Sequence, residues 1–200
     1  MTIPTTSTTT TPSNPPPPKK PLRPLHRYIT THSPTTNLAI FSPTLPTPMP
    51  VQQISDSANA HFSLVYTTDT FPADLSNETD IPAYASYLSN PPGITISTGS
   101  VCRIVDIPPH AMSPMHRTVS IDYGVVLEGE VELVLDSGET RVLGRGDVAV
   151  QRGTNHAWRN VTSDTSDGEG QWARMLYVLL PAVGVDLGES LGGIGVRDST

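Results

Sequence analysis

The chain has 200 residues, of which 36% are hydrophobic, and it holds 21 Pro, 15 Gly and a single Cys. That length fits one domain with a tail, and one cysteine excludes both an intrachain disulfide and a zinc site built from several cysteines. No acidic residue precedes Asp56, so residues 56–200 carry 8 basic and 19 acidic residues, a net charge of −11. A domain this acidic disfavours binding to nucleic acid or to an anionic membrane surface, and no apolar run approaches the roughly 18 residues of a membrane span.

Residues 1–24 form a low-complexity segment rich in Thr and Pro, and residues 1–50 hold 13 of the 21 prolines. Proline donates no backbone hydrogen bond, and so few apolar side chains build no core, so this segment is predicted to be a disordered tail. It contains no apolar stretch of the kind found in secretory signals. Together with the lone Cys102, this favours a reducing, cytoplasmic setting.

Residues 25–92 are of mixed character and are interpreted as an N-terminal extension that packs on the domain that follows. His61–Tyr66 has the composition of a strand. The acidic stretch 71–88 is interrupted by Pro72 and Pro82, which permit a short helix after Pro82 but exclude a long one.

From residue 93 onward the pattern is that of β-structure, because short runs of Val, Ile and Leu alternate with turn signals at intervals of roughly 8–12 residues. The predicted strands are Val101–Ile107, Asp122–Leu127, Glu130–Leu135, Thr140–Leu143, Asp147–Gln151, His156–Asn160 and Ala173–Leu180. No helical pattern separates them, which indicates a sandwich or barrel over residues 93–181. A Gly-rich tail, 182–200, follows.

Two of the histidines, His116 and His156, lie on predicted strands, and one of these strands carries further polar residues. Four polar residues share parity in the strand predicted to begin near Met115: His116, Thr118, Ser120 and Asp122. Period-2 geometry places them on one face if the strand is unbroken. His156 begins another strand, and if both strands line one interior, two imidazoles and the Asp122 carboxylate converge. Such a set suits iron(II) and also accepts manganese, nickel or zinc.

Residues 115–129 resemble the first of the two sequence motifs of the cupins, which reads G-x5-H-x-H-x(3,4)-E-x6-G. His116 takes the place of the first His, Thr118 that of the second and Asp122 that of the acid, and Gly129 closes the motif. Two positions depart from it, because Thr118 supplies no nitrogen and the carboxylate of Asp122 is one methylene shorter than that of a Glu.

Residues 146–160 resemble the second cupin motif, G-x5-P-x-G-x2-H-x3-N. Gly153, His156 and Asn160 fit this motif, whereas Gln151 replaces its Pro. The two motifs occur in order and are joined by a predicted hairpin with a Gly-containing turn.

This resemblance implies a fold, a cofactor and an activity. The implied fold is all-β, a cupin-type antiparallel β-barrel (jelly roll). The implied cofactor is a divalent transition metal (iron, manganese, nickel or zinc), which His116, Asp122 and His156 are expected to hold. The motifs are similar to those of cupin-domain oxidoreductases that accompany fungal polyketide pathways. That similarity implies a metal-dependent oxidoreductase that tailors a small molecule in secondary metabolism.

Two other functions stay open. In the first, His116 and His156 act without metal as general acid and base in a decarboxylation, isomerisation or dehydration, with Asp122 orienting one imidazole. Removal of metal by a chelator leaves such an activity intact. The second is a barrel that binds a small molecule and does not react with it. For Asp122, a structural role with backbone N–H groups, Arg117 or Arg159 as partners is an alternative to metal ligation.

Four residues are predicted to line the substrate pocket: Thr118, Trp158, Gln151 and Tyr123. Trp158 shares parity with His156 and offers a stacking surface. The expected partner is a small-molecule substrate, not nucleic acid or a membrane, and a homodimer is a further expectation. The apolar run Met175–Leu180 suits either a dimer edge or the core.

Overall fold

A computed structural model of the chain describes residues 22–183. The predicted disordered tail (1–24) and the predicted Gly-rich tail (182–200) lie almost entirely outside the described residues. No helix within the described range is long and apolar enough to cross a membrane.

The described residues form eleven strands and one α-helix, with all strand pairs antiparallel. In chain order they are β1 (Thr30–His32), β2 (Ala39–Phe41), β3 (Gln52–Ile54), β4 (Ala60–Thr68), α1 (Asp80–Ser89), β5 (Ser100–Ile107), β6 (Ser120–Glu128), β7 (Val131–Leu135), β8 (Thr140–Leu143), β9 (Val148–Arg152), β10 (His156–Asn160) and β11 (Ala173–Pro181). The predicted strands are confirmed to within one or two residues at each end, because alternating apolar residues and turn glycines are local signals.

Two sheets face each other across the core. The larger has the strand order β3-β4-β5-β11-β6-β9 and the smaller has the order β10-β7-β8, while β1 and β2 form a separate hairpin. Val126 and Met175 of the larger sheet pack with Val131 and Trp158 of the smaller one. Alternate residues of each strand supply this apolar layer, as in other antiparallel sandwiches and barrels. The predicted all-β barrel is therefore confirmed.

The N-terminal extension is more closely joined to the sheet than the sequence indicated. Strands β3 and β4 are hydrogen-bonded into the larger sheet beside β5, and the division at residue 92 stays a prediction. Helix α1 packs on β4, where Tyr84 is buried and its hydroxyl donates to the carbonyl of Leu64 at 2.8 Å. The short helix is confirmed, but it begins at Asp80, two residues before Pro82, since a proline in the first turn removes no helical hydrogen bond.

Strand β11 lies between β5 and β6, so the run Met175–Leu180 is not at a sheet edge. Met175 and Leu179 are buried inside the barrel. The run therefore serves the core, which is one of its two predicted roles, and the homodimer stays a prediction.

The turn from β6 into β7 depends on a glycine. Gly129 has φ +79°, and a Cβ there would lie 2.4 Å from Thr162 Oγ1. Gly138 has φ +88° with no atom within 4 Å of the same position. We expect Gly138→Ala to lower the free energy of unfolding by about 1 kcal/mol, from backbone strain alone, and Gly129→Ala by about 3 kcal/mol. Urea denaturation of both variants measures the difference, and equal losses would show that the contact with Thr162 costs nothing.

Candidate functional site

A cavity of about 230 Å³ opens between the two sheets. Its walls are mostly apolar, and its ionisable side chains besides Tyr177 are Arg103, Asp56, Asp122, His116 and His156, with the hydroxyl groups of Thr118, Ser57 and Ser113 beside them. The dimensions and lining suit one small, largely apolar molecule with a few fixed polar groups.

The two predicted catalytic histidines meet at this cavity. His116 and His156 form an isolated antiparallel bridge, in which each backbone N–H donates to the other's carbonyl at 2.9 Å. Their ring centroids are 4.5 Å apart. The bridge fixes both backbones, so the proximity of the imidazoles follows from main-chain pairing.

The strand expected to run unbroken from Met115 does not form. Strand β6 begins only at Ser120, and the segment before it turns aside to pair with β10. The prediction that His116 and Asp122 share a face of one strand is therefore wrong. The bridge to His156 brings His116 to the cavity by a different route.

Each imidazole is oriented by a carbonyl two residues earlier. His116 Nδ1 lies 2.8 Å from the carbonyl oxygen of Pro114, and His156 Nδ1 lies 2.9 Å from that of Thr154. A carbonyl oxygen only accepts, so each Nδ1 carries a proton and each neutral ring has its lone pair on Nε2. Within residues 22–183, no hydrogen-bond donor reaches either Nε2.

Asp122 is held by hydroxyl groups. It is 4% exposed, Thr118 Oγ1 donates to its Oδ2 at 3.1 Å, and Ser120 Oγ donates to its Oδ1. Burial raises the pKa of Asp122, while the two hydroxyls and the charges of His116 and Arg103 lower it. The partners are thus neighbours on the same segment, and Arg159 instead forms an ion pair with Glu132.

The predicted metal ligands are only partly brought together. Within the described range, no three His, Cys, Asp or Glu side chains form a group that could hold a metal ion. The Asp122 oxygens accept hydrogen bonds from Thr118 and Ser120. The two imidazoles present Nε2 lone pairs to one cavity and fit a metal ion, and the three-ligand set with Asp122 stays a prediction.

The environment of His156 has a consequence for stability. Burial, followed by the charge of His116, lowers the pKa of His156 from 6.5 to about 4. The unfolded chain therefore binds a proton below pH 6.5 that the folded chain takes up only near pH 4. We expect this group to reduce stability as the pH falls through that interval, by at most ~3 kcal/mol.

Urea denaturation between these two pH values measures this effect for the wild type and for His156→Gln, which lacks the titrating group. The slope of stability against pH should be smaller in the variant. An unchanged slope would assign the pH dependence to other residues.

Two of the four predicted pocket residues line the cavity. Thr118 and Trp158 do so. Tyr123 does not, because it alternates with the inward-facing Asp122 along β6 and is 40% exposed on the other face. Gln151 is buried, but it accepts a hydrogen bond from Thr154 and does not reach the cavity.

Two parts of the site, Arg103 and the turn 56–58, were not predicted, whereas Tyr177 was expected in the core or in the pocket wall. Arg103 of β5 and Tyr177 of β11 both line the cavity, and burial raises the pKa of Tyr177 well above its usual range. The turn 56–58, in the N-terminal extension, covers another part of it. Arg103 could have been predicted from the sequence, because it shares parity with Val101 and Val105 in an apolar strand. No sequence pattern indicated that the turn 56–58 lies at the cavity.

Residues 103–166 match the sequence profile of the cupin domain. Phomopsin biosynthesis cluster protein C' of Diaporthe leptostromiformis is 52% identical over 174 residues, which cover 86% of this chain and 87% of that protein. The cupin-domain-containing oxidoreductase srdB of Neurospora crassa is 38% identical over 159 residues, 80% of this chain and 74% of that one. The chain is a cupin. Among solved structures, the polyketide cyclase RemF from Streptomyces resistomycificus aligns with a TM-score of 0.42 and 20% identity over 66% of this cupin and 72% of RemF.

In the second motif of this cupin, one residue has a structural role and another lines the cavity. Asn160 is 2% exposed, and its Nδ2 donates to the carbonyls of Ile107, Pro108 and Gln171 at 2.9–3.0 Å. It therefore ties the ends of β5 and β10 to the loop before β11. His156, at the other end of β10, faces the cavity.

Proposed function

We propose that this cupin is an enzyme that modifies a small molecule in a biosynthetic pathway. The relatives support a biosynthetic role, since one is named as a protein of the phomopsin biosynthesis cluster and another as a cupin-domain-containing oxidoreductase. The cavity supports a small, mainly apolar substrate. A polyketide as that substrate stays a prediction.

The observation that carries the proposed chemistry is the pair of imidazoles with Nε2 lone pairs on one cavity. His156 is neutral at pH 7 because burial lowers its pKa, so its Nε2 acts as the base and accepts a proton from the substrate. His116 interacts favourably with the charge of Asp122 and, once protonated on Nε2, returns a proton elsewhere on the substrate. Removal and return of a proton at two positions is an isomerisation, and loss of water or carbon dioxide between them is a dehydration or decarboxylation.

A metal-dependent oxidoreductase is the second candidate. Both imidazoles donate Nδ1–H to a carbonyl. Histidines that bind metals commonly make such a hydrogen bond, which fixes the orientation of the ring. A metal bound there would supply Lewis-acid or redox chemistry. His116 and His156 are its two proposed protein ligands, and Asp122, the third ligand of the prediction, first has to exchange its hydroxyl partners.

The experiment uses the compound that accumulates when the gene is deleted from its host. The purified cupin is incubated with that compound, as isolated and after treatment with a chelator, with metal content measured in both samples. Full turnover by metal-free protein supports proton transfer. Turnover that is lost and then restored by iron(II) or manganese(II) supports the oxidoreductase. A compound that binds and is recovered unchanged from every sample would contradict both and leave a binding protein.

A further inference from the structure

Arg103 is a cation in the wall of an otherwise mostly apolar cavity. It lies on β5, between Leu64 of β4 and Tyr177 of β11 in the pairing of the larger sheet. Residues paired across antiparallel strands point to the same face, so Arg103 belongs to the row that faces the cavity. The residue is 7% exposed and contributes to the cavity lining.

The guanidinium of Arg103 has more donors than partners. One Nη donates to the carbonyl of Gly93 at 2.6 Å, and the group lies over the ring of Phe62 with its carbon 5.5 Å from the ring centroid. Its Nε is buried and has no hydrogen-bond partner. No carboxylate within residues 22–183 forms an ion pair with it, although the charge of Asp122 acts on it from a greater distance.

This arrangement is costly without a ligand. A buried charge is normally paired, because the loss of hydration is otherwise uncompensated. Burial lowers the pKa of Arg103 only to about 10, so the group is still positively charged at neutral pH. Five N–H donors in a planar fork match the two oxygens of a carboxylate.

We propose that Arg103 binds the carboxylate of the substrate, and that the substrate class of this cupin is therefore small, largely apolar carboxylic acids. This inference rests on the proposed function for the identity of the site. A carboxylate fits better than a phosphate, because one guanidinium balances one negative charge and the nearby Asp122 repels a second. The apolar walls, including Phe62 and Trp158, hold the remainder of the molecule.

The proposal also orients the substrate. Arg103 is on the larger sheet and His156 is on the smaller one, and both line the same cavity. A molecule bound to Arg103 by its carboxylate thus extends toward the two imidazoles with its uncharged part. Arg103 sets specificity, and the proton transfers belong to the histidines.

Binding of matched acid and amide pairs tests the proposal. The probes are benzoate, phenylacetate, 3-phenylpropionate and hexanoate, each with its amide, measured by calorimetry at pH 7 with the full chain. We expect at least one acid to bind the wild type at least about tenfold more tightly than its amide. Arg103→Met should abolish that preference, and Arg103→Lys should retain part of it.

Arg141→Met is the matched control, because it removes one positive charge from an exposed arginine whose only side-chain hydrogen bond within residues 22–183 is to its neighbour's carbonyl. This variant should keep the full preference. The comparison of acid with amide binding to the wild type tests the proposal even if Arg103→Met does not fold. Absence of acid preference in every pair, or its survival in folded Arg103→Met, overturns the proposal.

The proposed function can fail separately from this inference. His156→Gln should keep the preference for acids while losing turnover. If the wild type prefers acids but no histidine variant affects turnover, the acid–base assignment fails and the role of Arg103 stands.

Discussion

His116→Gln and His156→Gln should each lower the turnover of the natural substrate by at least about 100-fold, the usual contribution of a positioned acid or base. Glutamine is polar and of similar length, but it neither accepts nor returns a proton at neutral pH. The two imidazoles are 4.5 Å apart and serve one substrate, so their effects should not multiply. The double variant should be about as slow as the slower single variant. Steady-state rates on the compound accumulated in the deletion strain provide the measurement.

His110→Gln is the control for these variants. His110 is exposed and pairs with Asp164 at 3.0 Å, and it does not line the cavity. Its replacement should leave turnover unchanged. Wild-type turnover in either His116→Gln or His156→Gln would remove that residue from the chemistry, provided that the variant has the wild-type circular dichroism spectrum.

Asp106→Ala should lower the free energy of unfolding by about 3–5 kcal/mol, the usual cost of removing one partner of a buried ion pair. Arg174 binds Asp106 through two hydrogen bonds, Nε to Oδ1 at 2.6 Å and Nη2 to Oδ2 at 2.9 Å. The two side chains are 2% and 1% exposed. Burial disfavours the charge of Arg174, but its hydrogen bond and charge interaction with Asp106 outweigh this and raise its pKa. The substitution leaves that charge without its main partner.

Glu132→Ala is the matched control, because it removes the partner of Arg159 at the surface, where the arginine side chain is 46% exposed. Its cost should be about 0–1 kcal/mol. Replacing both members of the buried pair, in Asp106→Leu with Arg174→Met, should recover part of the loss, since no unpaired charge remains. Urea denaturation compares the variants. Similar losses for Asp106→Ala and Glu132→Ala would show that burial does not govern the strength of this pair.

The buried pair also contacts a residue of the segment 1–24, which the sequence predicted to be a tail. Arg174 donates from Nη1 to the carbonyl of Arg23 at 3.1 Å, so the segment before β1 covers this side of the larger sheet. The sequence contained no indication of this contact, which joins residues 151 positions apart. Contacts of such separation follow from the path of the chain, and composition does not reveal that path.

The strands, the barrel and the candidate histidines were predictable because their signals are local. Apolar residues at every second position, glycines at turns and the spacing of two motifs are all properties of short segments. They predicted β5 to β11, and they singled out His116 and His156. Tyr123 and Gln151 do not reach the cavity. Tyr123 alternates with Asp122 along β6 and so lies on the other face, and buried Gln151 on β9 accepts a hydrogen bond from Thr154 instead.

The amino-acid sequence was thus sufficient for the class of fold and for the residue types of the site. The three-dimensional arrangement was needed for the tautomers of the two imidazoles, the hydroxyl partners of Asp122 and the place of Arg103 in the cavity wall. The tautomers and the partners of Asp122 depend on the exact backbone and side-chain angles of short segments, which the order of residue types does not give. The place of Arg103 depends on the pairing of strands far apart in the chain. An arginine in an apolar strand is compatible with the surface or with a pocket, and the pairing of β5 with β4 and β11 decides between them.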